Sequence, residues 1–119
     1  MDSENDCACV MAPRAERIAR LNDNLRCRGE GGNLTVTSGV HALTDFDPLI
    51  LAAALASYDA FDAENDPHGE RDFGDFNLFG ADMFWKIDYY DADGKFGSSD
   101  PADDTITSRV LTVMLISEY

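Results

Sequence analysis

The sequence predicts a small α+β domain in which two or three helices pack on an antiparallel β-sheet meander. Three observations predict it. Apolar residues recur every three or four positions at Ile18, Leu21 and Leu25, the spacing of one helix stripe. A second apolar stretch, Leu49 to Phe61, is rich in alanine and has high helix propensity. Residues 71–97 are dense in aromatic residues and punctuated by glycine, as antiparallel strands are.

Residues 1–11 lack any period and read as a mobile leader, with residues 12–119 as one domain. Pro13 stands where a helix begins, Glu16 can pair with Arg20 one turn on, and Gly29 is a C-terminal stop. Residues 33–40 alternate apolar with polar and read as a short strand. Asp47 before Pro48 is an N-cap for a central core helix, apolar on most sides. Phe73, Phe76, Phe79, Phe84, Trp85, Tyr89 and Tyr90 supply the bulk of a three-stranded meander, with turns near Gly80 and at Ala92-Asp93-Gly94. Asp100-Pro101 resembles a helix start, while Ile106, Val110 and Val113 favour a strand. The expectation for residues 105–117 is a helix.

No apolar run reaches the roughly 18 residues that span a membrane. The N-terminus carries acids where a signal peptide is basic, so the expected location is the cytoplasm. Cys7, Cys9 and Cys27 make neither a disulfide framework nor a spaced zinc set and read as reduced thiols.

Charge is the most informative total. The chain has 23 acids and 9 Lys plus Arg, for a net −14. Residues 1–42 hold 6 acids and 5 bases, and residues 43–119 hold 17 acids and 4 bases, so nearly all the excess lies in the later part. Such a body repels nucleic-acid phosphates and anionic membrane and attracts basic protein surfaces.

Three motifs bear on function. Residues 89–100 resemble a calcium loop around Gly94, yet Tyr89 stands where the first carboxylate belongs, and a hairpin turn using Asp and Gly is the simpler reading. Asp66, His68, Glu70 and Asp72 fall on alternate residues; in an extended segment they would share a face, as a hard-metal or acid/base cluster or as a solvated loop. No nucleophile shows an elbow or dyad spacing. The third is the array of acids itself. Duplex DNA carries one charge per roughly 1.7 Å of axis, and a stiff body with carboxylates at comparable density can occupy a groove built for it. Solubility is the plain alternative account of the same acids.

The segments "FWKIDYYD", "SSDPADD" and "TSRVLTVMLISEY", with "ENDPHGERDFGDF" upstream, together resemble a bacterial domain-of-unknown-function family, number 3768. Its members are small single-domain proteins of alphaproteobacteria, often on plasmids. The resemblance runs from about residue 16 to the C-terminus. Arg71 stands where the family pattern has His, which argues against a metal site needing a second His. The family brings no activity; it implies a mobile-element setting, where inhibitors of restriction or CRISPR defence occur.

The expectation is therefore a small acidic protein without enzymatic activity or cofactor. It would present Asp66, Glu70, Asp72, Asp75, Asp88, Asp91 and Asp93 to a basic surface of a nucleic-acid-binding protein, contacting neither nucleic acid nor membrane. The alternatives are a metal-dependent enzyme centred on Asp66, His68, Glu70 and Asp72, or an accessory protein whose acidity only keeps it dissolved.

Overall fold

A computed structural model describes residues 13–119. The expected leader, with Cys7 and Cys9, lies outside the described residues. The domain is α+β: a four-stranded sheet with helices on one face. Helix α1 spans Arg14–Arg28 and ends at Gly29, whose φ of 71° is the left-handed conformation glycine adopts without Cβ strain. The amide of Gly29 donates to Leu25 O and that of Glu30 to Asn24 O, closing the last turn. Its buried side is Ile18, Ala19, Asn22, Leu25 and Arg26. Arg20 pairs with Glu16 at 3.4 Å, as the spacing implies.

Strand β1 is Asn33–Val36, shorter than expected. Thr37 then caps a single helical turn, α2 (Ser38–His41), which drives Val40 into the core. Helix α3 is Pro48–Ser57, with Asp47 accepting from the amides of Leu49 and Ile50 as an N-cap does. It is not the fully surrounded core helix expected. Leu51 and Leu55 are buried, but Leu49 is 80% exposed and Ile50 49%. A run apolar on all sides hides its true inward stripe, which here is set by the sheet beneath it.

Strands β2 (Phe73–Leu78) and β3 (Ala81–Asp91) form a hairpin around Phe79-Gly80. Both turn residues have positive φ, 56° and 74°, the pairing a two-residue turn of matching twist requires. The second expected turn is present: Gly94 has φ 74° and Asp91 accepts from the Lys95 amide at 3.0 Å. The antiparallel Tyr90–Gly97 bridge and the Ser98 amide donating to Tyr89 O close it as a hairpin turn.

Residues 105–117 do not form the expected helix. Strand β4 is Thr107–Leu115, followed by one 3-10 turn, Ile116–Glu118. Thr107, Arg109, Leu111 and Val113 alternate inward, so the true period is two. Arg109 occupies an inward position and broke the apolar alternation that would have identified a strand. The strand order is β1-β4-β3-β2, with β1 parallel to β4 and the other pairs antiparallel. The sheet is thus mixed, not a purely antiparallel meander. Trp85, Met83, Ile87, Leu111 and Val113 meet Leu25, Val40, Leu51 and Leu55 in the core.

Candidate functional site

The sheet places Asp91 of β3 opposite Thr107 of β4, so the 92–106 loop lies at one end of the sheet. The approach to β2 runs along that same half of β3, because the amide of Ile87 donates to Asp72 O at 2.9 Å. The Glu70–Asp72 end of the acid-bearing loop 58–72 and Pro101 of the loop 92–106 are therefore both drawn to the Tyr89 half of β3, while Tyr58 and Phe61 pack on Trp85.

Both loops are tied down by buried polar groups. Asn22 of α1 donates to Glu70 O and to the Tyr89 hydroxyl, both at 2.9 Å, and accepts from Arg109 Nε at 2.9 Å. The Tyr89 hydroxyl donates to Glu70 Oε1 at 2.9 Å. Arg109 also donates to the Pro101 carbonyl and lies 5.3 Å over the Tyr89 ring. Arg109 is 1% exposed, and its Nη1 finds no acceptor among the described residues. Outside this cluster, Arg71 forks onto Asp23 at 2.8–3.1 Å, and Arg14 reaches Asp100 at 3.1 Å. The Thr107 hydroxyl donates to Asp100 O, and Ser98 lies 2.7 Å from it.

Electrostatics follow the packing. Burial, then the Glu70 charge, pushes the Asp72 carboxyl up. Burial pushes the Tyr89 phenol up and lowers the Arg109 guanidinium. The Asp88 hydrogen bond raises the Lys86 ammonium. Asp103, partly exposed, is held below the usual carboxylate range by the Thr105 hydroxyl and amide.

The expected contact acids separate on inspection. Asp66, Glu70 and Asp72 are brought together, near enough for their charges to act on one another. Yet Asp66 accepts the Arg71 amide and Glu70 turns in to Tyr89, so both brace the loop. Asp88 lies on the opposite face of β3 from Tyr89 and is paired with Lys86 at 2.7 Å. Asp91 holds its turn. Asp93 is exposed and enters no ion pair among the described residues. Asp75 stands apart, on β2 opposite Phe84, beside a shallow polar depression shared with Asn77 and Asp82.

The four alternating metal candidates do not share a face. Residues 67–70 are turn and bend, and positive φ at Gly69 (70°) and Arg71 (52°) breaks the extension that reading needs. Among the described residues no group of three or more His, Cys, Asp or Glu side chains is placed to hold a metal ion. Cys27 is exposed and is a free thiol. Asn22 and Arg109 were missed by the sequence reading. Their only signal was a polar residue on each of two mostly apolar inward stripes, which also carry Arg26 and Thr107.

A family model described as protein of unknown function (DUF3768) matches residues 36–118. The chain belongs to this family. The DUF3768 match begins at the end of β1 and takes in α2, α3 and the strands β2 to β4. It leaves out α1, so the resemblance is narrower than the stretch from residue 16 that the motifs suggested. Arg109, Tyr89 and Glu70 lie inside the matched region and Asn22 outside it. No curated protein and no solved structure matches the chain. No helix among the described residues is long and apolar enough to cross a membrane.

Proposed function

We propose that this DUF3768 protein is a non-enzymatic, acidic interaction protein. The end of its sheet, carrying the 58–72 and 92–106 loops, docks on a basic protein surface in the cytoplasm. That surface belongs to a nucleic-acid-binding protein, and docking excludes the nucleic acid by competition. The observation that carries the reading is the anchoring of two acid-rich loops by the Asn22–Tyr89–Arg109–Glu70 cluster. Loops with many carboxylates are ordinarily floppy; a cross-tied pair avoids much of the ordering cost on binding. Steering by a net charge of −14 then favours fast association.

Restriction and CRISPR interference complexes are the targets to examine first. The test is displacement of a labelled duplex from such a purified complex by the full chain across a salt series. Displacement that weakens steeply with salt supports the reading. Displacement insensitive to salt, or unchanged when the exposed loop acids are made neutral, refutes it.

A further inference from the structure

We propose that the outer edge of β1, with the groove beside it, takes an extended segment of a partner protein in which an apolar residue is flanked by Lys or Arg. β1 has β4 on one side and, among the described residues, no strand on the other. The amide of Thr37 donates to Val113 O at 3.0 Å, so strand alternation turns the backbone groups of Leu34 and Val36 away from β4. The side chains of these two residues line a groove of about 200 Å³ together with Phe46, Leu51, Ala52 and Leu55. Leu34 is 40% exposed, and Ile50 of α3 is 49% exposed. An incoming strand pairs with residues 34 and 36 and sets one apolar side chain into the groove, the mode of strand addition to a sheet edge.

Charge selects the occupant. Every groove residue comes from the stretch Gly29–Ser57, whose charged residues are Glu30, Asp45 and Asp47, with neither Lys nor Arg. The cation that touches this wall, Arg26 on Leu55 O, is buried and held by Asp23. A second copy would bring another −14 against the first, whereas a cationic segment is attracted. The inference does not depend on the acidic sheet end.

The experiment is fluorescence anisotropy of the full chain with a short labelled peptide of alternating lysine and leucine. Its control has the same residues with the leucine amides N-methylated, which keeps the charge and blocks strand pairing. The expected result is that the control binds at least about fivefold more weakly, one or two strand hydrogen bonds being lost. Leu34→Pro removes an outward donor without touching the ladder to β4, and Ala52→Arg crowds the groove from an exposed helix position; each weakens the lysine–leucine peptide by about fivefold. Ala52→Arg stands alone if Leu34→Pro unfolds by circular dichroism. Asp82→Asn, beside the opposite edge of the sheet, leaves peptide affinity unchanged. Absent binding, equal binding of both peptides, or folded variants that bind like the parent overturn the proposal. So does self-association abolished by Leu34→Pro, or peptide binding that emerges only after residues 1–12 are removed, since each assigns the edge to another occupant.

Discussion

Replacing Arg109 with methionine tests the polar cluster that anchors both acidic loops. The guanidinium satisfies Asn22 Oδ1 and the Pro101 carbonyl and stacks on Tyr89. Each abandoned buried acceptor costs about 1–2 kcal/mol and the lost stacking about 1 kcal/mol. Relief from burying a cation returns part of this, leaving a loss of about 3 kcal/mol. Asn22→Leu should cost a similar amount, because it strands Arg109 Nε and releases the Glu70 carbonyl. The double variant loses their shared bond only once, so its cost falls short of the sum by about 1 kcal/mol or more. Urea denaturation followed by circular dichroism reads these values from the midpoints, with Arg109→Met lowering the midpoint by about 1.5 M at unchanged slope. Hydrogen exchange should quicken in residues 92–106. Additivity within about 0.5 kcal/mol, or unchanged exchange in that loop, refutes the claim that one network holds it.

Gly74→Ala should destabilise by about 2 kcal/mol, since a Cβ there would sit 2.6 Å from Trp85 Nε1 and 2.7 Å from Tyr58 Cε1; thermal melts check it, and a loss below about 0.5 kcal/mol contradicts the packing. Asp72→Asn should raise stability at pH 7. The folded Asp72 carboxyl titrates above its unfolded value, chiefly by burial, so its charged form disfavours the fold at neutral pH, and that penalty fades as pH falls through the raised value. The gain should vanish in acid, and urea midpoints at pH 7 and pH 3 distinguish this from a gain independent of pH. Glu118 behaves oppositely. Its carboxyl accepts from the Thr37 hydroxyl at 2.6 Å and the Leu115 amide at 2.9 Å and is held low. Glu118→Ala should therefore weaken docking of the C-terminal turn near neutral pH, with the difference lost as pH falls through the lowered folded value.

The α+β class, both main helix starts, the Gly29 stop and the β2–β3 hairpin were legible because local chemistry decides them. Asp47-Pro48 caps a helix wherever it folds, and Gly80 takes positive φ without strain, whereas Phe79 beside it is held at φ 56° by the hairpin. Strand β4 was not legible. Its alternation is broken by Arg109, which is tolerated inward because Asn22, 87 residues away, and the Pro101 carbonyl accept hydrogen bonds from its guanidinium. The parallel pairing of β1 depends likewise on distant packing. Acidity was legible as a total, but not its division into roles. Glu70, Asp66 and Asp91 brace loops and Asp88 is neutralised by Lys86, whereas Asp93 and Asp104 are exposed. A count of carboxylates cannot tell these apart; their hydrogen-bond partners can.

The proposed function makes the location of negative charge, rather than its quantity, decisive for binding. The direct measurement compares two triple variants in duplex displacement from the same restriction or CRISPR interference complex. One neutralises the 92–106 loop with Asp93→Asn, Asp103→Asn and Asp104→Asn; the other removes as many charges elsewhere with Glu30→Gln, Asp45→Asn and Asp82→Asn. The account predicts that the loop variant loses potency by about tenfold while the other keeps nearly all of it. Equal losses in both, or full potency in the loop variant, would contradict it.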